Sequence, residues 1–155
     1  MKNVVIQEAD FDLNSIYAAL RDKHGADIGA MVAFVGLVRD RNKKAGSGDA
    51  VQTLTLEHYP GMTEKSIEAI ITKAVDRWPL LDLVVIHRVG TLAPADQIVG
   101  VVSVSAHRDA AFAAAEFVMD YLKTDAVFWK REATSAGSQW IESTDDDRSR
   151  AEHWK

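Results

Sequence analysis

The chain has 155 residues, 47% of them hydrophobic and 26% charged, with a formal net charge of −5. That length fits one domain spanning 1–155, and the acidic balance speaks against general nucleic-acid binding, which relies on a basic surface to displace counterions. Cysteine is absent, which excludes disulfides, thiolate nucleophiles, persulfide carriers, iron–sulfur clusters and cysteine-type zinc sites.

No apolar run reaches the ~20 residues that span a bilayer, and "MKNVVIQEAD" lacks the h-region of a secretory signal, so the expected location is cytoplasmic. "NVVIQ" is a short β-like run. Leu13, Ile16, Tyr17 and Leu20 then fall at i, i+3, i+4 and i+7, the stripe of an amphipathic helix with Asp12 as its cap. "AMVAFVGLV" is nearly all apolar and reads as a strand buried on both faces. "RDRNKKAGSGD", residues 39–49, is polar, basic and glycine-containing, a mobile loop.

"VQTLTLEHY" alternates and is rich in β-branched residues, so it predicts a strand. Pro60-Gly61 turns the chain into a helix capped by Thr63, with Ile67, Ile70, Ile71, Ala74, Val75 and Trp78 on one face and Pro79 as terminator. "LDLVVIHRVG" and "IVGVVSVSAH" predict two strands separated by the loop "TLAPADQ". "RDAAFAAAEFVMDYLKT" is a largely buried helix, and "FWKREAT" with "QWIES" a hairpin. The tail from about 143 to 155 is polar, with a terminal helix and a flexible end both open. The order β-α-β-β-α-β-β-α-β-β points to an α+β fold with a mixed, largely antiparallel sheet.

Several segments carry chemistry. "SAHRD" lies where a strand hands over to a helix, so unsatisfied N–H groups, His107 and Arg108 suit an anion; a surface arginine beside a histidine bonded to its own loop fits as well. Arg39, ending "AFVGLVR", is either an anion clamp or a solvated boundary residue. Lys123 falls in the last turn of the apolar helix, where a cation complements the dipole. Lys130, in "FWKRE", shares a strand face with Phe128 while Trp129 and Arg131 share the other. Near a second cation in a partly dry site its pKa would fall, fitting it for base or nucleophile chemistry. His24, His58, His87 and His153 show no metal-site spacing and are read as structural, so neither a metal nor a cofactor is expected.

Taken together, "GAMVAFVGLVRD", "LTLEHYPGMTEK", "RWPL", "VVIHRVGTL", "SVSAHRDAAF" and "MDYLKTDAVFWKRE" resemble the large, catalytic subunit family of molybdopterin synthase, over residues 29–132. The resemblance implies a hammerhead-type α/β fold with additional antiparallel strands. It also implies a sulfurtransferase activity of molybdenum cofactor biosynthesis. Two sulfur atoms pass to cyclic pyranopterin monophosphate from the C-terminal thiocarboxylate of a small ubiquitin-like partner, within a heterotetramer built on a homodimer of large subunits. Lys123 and Lys130 match the family's catalytic lysines. Leu37, Val38, Arg39, His107, Arg108, Arg131 and Glu132, with the two lysines, match positions that contact substrate.

Three departures accompany the resemblance: a longer, more basic 39–49 loop, "TLAPADQIV" without the usual Gly-Glu, which touches a structural turn, and Val127 where proline is usual. The reading from another class is a non-catalytic scaffold that binds the ubiquitin-like partner or a pterin, against which the retained lysines count.

Overall fold

The computed structural model describes residues 3–40, 51–134 and 137–155, so most of the basic loop lies outside the described residues. In chain order the elements are β1 (Val4–Gln7), α1 (Leu13–His24), a 3-10 turn (Gly25–Asp27), β2 (Ala30–Leu37), β3 (Val51–His58) and α2 (Met62–Arg77). These are followed by β4 (Asp82–Arg88), β5 (Gly90–Leu92), β6 (Gln97–Ser105), α3 (Arg108–Leu122), β7 (Phe128–Thr134), β8 (Gly137–Ile141) and α4 (Asp145–Glu152). They build two four-stranded sheets, ordered β1-β4-β6-β2 and β5-β3-β7-β8. Among the described residues only β1 and β4 pair in parallel; the other pairs are antiparallel, in keeping with an α+β fold.

The first sheet is covered on both faces, and the continuous apolar runs of its central strands follow from that. Leu83 and Val85 of β4 pack with Val99 and Val101 of β6 against Ile67, Ile70 and Ala74 of α2 and Phe117 and Val118 of α3. The alternate residues Val84, Ile86, Val102 and Val104 meet Ile16 and Leu20 of α1. Asp12 caps α1 as its sequence position predicts, accepting from the Asn14 N–H at 3.0 Å. Tyr17 and Val75, assigned above to buried stripes, are 46% and 48% exposed.

Three further expectations are revised. β2 is not buried on both faces: among the described residues it is an edge strand bonded to β6 alone, and Phe34 and Leu37 are 41% and 53% exposed. Thr63 does not cap α2. The helix begins two residues earlier, after Gly61 at φ 87°, and Glu64 reaches back to accept from the Gly61 N–H. Thr63 is fully buried instead, accepting from the Tyr59 N–H at 2.9 Å and donating to the Val127 carbonyl at 2.6 Å. Ser66 Oγ accepts the Val127 N–H at 3.2 Å, a bond that a proline at 127 would lack, so the departure there ties α2 to the start of β7.

The span read as a loop after β4 contains β5, because Leu92 pairs with Leu54 and is buried. The turn that follows carries Ala95 at φ 72°, a left-handed conformation that suits glycine. Its strain is held by two bonds to β2's exit: Ala95 N–H to the Val38 carbonyl at 2.8 Å, and Val38 N–H to the Asp96 carbonyl at 2.9 Å. The tail folds as α4. Trp154 anchors it through edge contacts with Trp78 and Phe117, both at 5.5 Å between centroids, and an Nε1–H bond to Asp120 at 2.6 Å.

Candidate active site

A cavity of about 1150 Å³ opens where the ends of β2, β3, α3 and the second sheet meet. Leu37, Val38 and Arg39 enter it from the end of β2, Lys123 from the end of α3, and Lys130 and Glu132 from β7. A recess of about 100 Å³ shares Leu37, Leu54, Lys123 and Lys130 with it and ends on His87 of β4. Basic groups far apart in sequence thus share one crevice.

Each is put there by its element. Lys123 is the C-cap of α3, its N–H bonded to the Met119 carbonyl at 3.2 Å, so dipole complementarity and placement in the cavity coincide. Lys130 lies in a central strand, opposite Leu56 of β3 and Ile141 of β8. Alternation puts Phe128 and Lys130 on the inner face. On the other face Trp129 is half exposed and Arg131 stacks over Trp140 at 5.7 Å; both tryptophans reach the cavity rim, but Arg131, expected to contact substrate, is not part of its lining. Burial, then the charge of Lys123, lowers the Lys130 pKa from 10.5 to about 8, with Asp147 acting in the opposite direction. A lysine there exchanges its proton near neutrality.

His107 and Arg108 do not join this group within one chain. They stand exposed at the start of α3, and its 15 residues separate them from Lys123 by about 22 Å.

Two residues the sequence did not single out face the lysines. His87, read as structural, is buried and stacks on Phe128 at 4.0 Å. Its Nδ1 lies 2.9 Å from the Arg88 carbonyl, which only accepts, so that nitrogen carries the proton. Burial above all, and the charges of Lys130 and Lys123, outweigh that bond and push the imidazole down to about 3, so it stays neutral. A polar residue at a core register of "DLVVIHR" was the available signal. Asp147 of α4 also lines the cavity, and its sequence surroundings, "TDDDRSR", carried no such signal. Among the described residues no group of three or more His, Asp or Glu is placed to hold a metal ion.

The sequence pattern of the MoaE protein family matches residues 6–125. The chain belongs to the MoaE family. It is 53% identical over 152 residues to the molybdopterin synthase catalytic subunit of Vibrio cholerae, covering 98% of this chain and 97% of that one. It is 51% identical over 153 residues to the Salmonella typhimurium protein of the same name, covering 97% of each. The molybdopterin biosynthesis MoaE protein from Burkholderia ambifaria superposes with a TM-score of 0.81 at 49% identity, over 100% of this chain and 99% of that one. The hammerhead-type reading of the fold therefore stands, and the similarity to these relatives extends past residue 125 over nearly the whole chain.

Proposed function

We propose that this chain is the catalytic subunit of a molybdopterin synthase, moving two sulfur atoms from the C-terminal thiocarboxylate of a small ubiquitin-like partner to cyclic pyranopterin monophosphate. The observation that carries this reading is the convergence of Arg39, Lys123 and Lys130 on one cavity large enough for a pterin beside a peptide terminus. Sulfur has to be imported, because the chain has no cysteine to carry it. The name borne by the close relatives, a catalytic subunit, implies a further subunit that brings it.

In each transfer water adds to the carrier's acyl carbon, its C–S bond breaks and the carrier is left as a carboxylate, while on the pterin a new C–S bond forms as a C–O bond breaks, that oxygen leaving as water or with the phosphate. Lys123 stabilises the oxyanion at the acyl carbon, and Lys130, with its proton exchangeable near pH 8, moves protons to and from the reacting sulfur and water. Leu37, Val38, Arg39 and Glu132 hold the pterin, and holding it beside the carrier tail makes transfer effectively intramolecular. Arg131 supports the same wall from its outer side, over Trp140.

His107 and Arg108 serve the phosphate of a neighbouring copy's substrate. Their distance from Lys123 supports this, as do the exposed apolar side chains nearby: Phe112, 63% exposed on the same end of α3, and Phe34 on the free edge of β2. A homodimer that buries these surfaces would complete both sites. We place the work in the cytoplasm, whose reducing conditions preserve thiocarboxylates and dithiol products. Incubation of the purified chain with thiocarboxylated partner and cyclic pterin tests the reading: a dithiolene product is expected, and partner binding without product would leave a scaffold instead.

A further inference from the structure

We propose that Asp147 is a positioning residue for this site, an internal counter-ion that α4 delivers to Lys123 and Lys130 and that the incoming acyl-sulfur anion displaces. The inference rests on the sulfur-transfer reading above and adds to it a residue from the tail.

Two observations meet at this side chain. The first is its fixed position. Asp147 lines the cavity with both lysines, and its Oδ2 accepts from the Thr144 N–H at 3.0 Å while its own N–H donates to Thr144 Oγ1 at 3.1 Å. Burial works against its charge, but the Thr144 bonds and the two lysines outweigh it and hold the carboxyl below the usual aspartate range. It is therefore ionised wherever the enzyme works.

The second is the way α4 is held. Eight residues reading "DDDRSRAE" form no stable helix alone, and Ala151 is the one buried side chain among them. The helix exists because Trp154 docks on Trp78 and Phe117, and Arg77 Nη1 donates to the Trp154 carbonyl at 2.6 Å. An anchor this specific, beneath a helix with almost no apolar face, fixes the position of whatever the first turn carries into the cavity.

The electrostatic consequence follows from the surroundings of the lysines. On the β4 side they face His87, neutral above about pH 3. Arg39 stands at the end of β2, Glu57 and His58 on β3, Glu132 on β7 and Glu142 just after β8. The charge of Asp147 acts on Lys130 against that of Lys123, keeping a proton there. An anionic carrier terminus provides the same compensation, so the two compete for the same pair of cations.

Asp147→Asn retains a side-chain acceptor for the Thr144 N–H and removes only the charge. In the assembled enzyme, two changes of opposite sign are expected. At about pH 6, where Lys130 stays protonated, the carrier's carboxylate form should bind about threefold to tenfold more tightly in calorimetry, its competitor being gone. In single-turnover transfer, the basic limb of the pH–rate profile should move down by about one pH unit, because Lys130 loses its proton sooner. Asp147→Glu should restore both. A profile and an affinity that coincide with the parent would overturn the proposal, as would a uniform loss of rate at every pH accompanied by a lower melting temperature, the mark of a merely structural residue. If Lys123→Ala turns over like the parent, the sulfur-transfer reading itself is lost. If Lys123→Ala is inactive and Asp147→Asn leaves profile and affinity unmoved, only the counter-ion assignment is lost.

Discussion

Replacing Lys130 by methionine should make this protein more stable at neutral pH while stopping its chemistry. In the folded chain Lys130 holds its proton with a pKa of about 8, against 10.5 for an ordinary lysine. Below pH 8 both folded and unfolded states are protonated, and the folded state carries the whole cost of a half-dry ammonium, about 3 kcal/mol from the gap between the two values. Between about 8 and 10.5 the folded state releases its proton first, the unfolded state binds more protons, and stability rises with pH until the cost is gone. Methionine fills a similar volume with no charge to desolvate, although it gives up the attraction of Asp147, so a net gain of about 2 kcal/mol is expected near pH 7. For a chain of this length that corresponds to about 4–8 °C in melting temperature. Far-UV circular dichroism melts of both proteins at about pH 7 and pH 10.5 read it directly: the gap should be wide at the first and nearly closed at the second. A variant that melts at or below the parent at pH 7, or a gap independent of pH, would refute the assignment of Lys130 as a strained cation.

Ala95→Gly should stabilise the chain by about 0.5–1 kcal/mol in urea unfolding, since φ 72° strains any residue with a Cβ, partly offset by glycine's larger unfolded-state entropy; an unchanged or lower midpoint would contradict the strain. Subunits carrying Lys123→Ala and subunits carrying Arg108→Ala should each be inactive as homodimers. Mixed in equal amounts and allowed to exchange, they should recover about a quarter of wild-type turnover, because half of the dimers then hold one intact site. No recovery would mean that Arg108 does not serve a site on a second copy.

Much of the fold was legible because local chemistry and tertiary environment agree. Asp12 caps α1 as an aspartate before an amphipathic stripe should, and the apolar runs of β4 and β6 are those of strands covered on both faces. β2 carries the same kind of run and was misread, because apolar composition does not distinguish a strand at the sheet edge from one in its centre. Thr63 looked like a cap, but tertiary bonds to Tyr59 and Val127 made it a buried tie while Gly61 took the turn.

The site was legible in part. Alternation in "FWKRE" separates Lys130 from Arg131, and the cavity takes Lys130 and Lys123, whereas Arg131, expected from the resemblance to contact substrate, is absent from its lining. His87 was set aside for want of metal-ligand spacing, though a histidine in the middle of a core strand is itself a signal that something polar lies next to it. Asp147 had no periodic signature at all, since its position depends on Trp154 docking against α2 and α3, a contact between residues more than thirty apart.

The central claim is that basic side chains gathered in one crevice carry out the transfer, with Lys123 at the acyl carbon. Single-turnover formation of the dithiolene, with saturating thiocarboxylated partner and cyclic pterin, measures it most directly in the parent and in Lys123→Ala. Loss of a stabilising cation at the developing oxyanion predicts a rate lower by about a hundredfold or more, with folding and partner binding retained. Lys123→Ala forming product at the parent's rate would contradict the account.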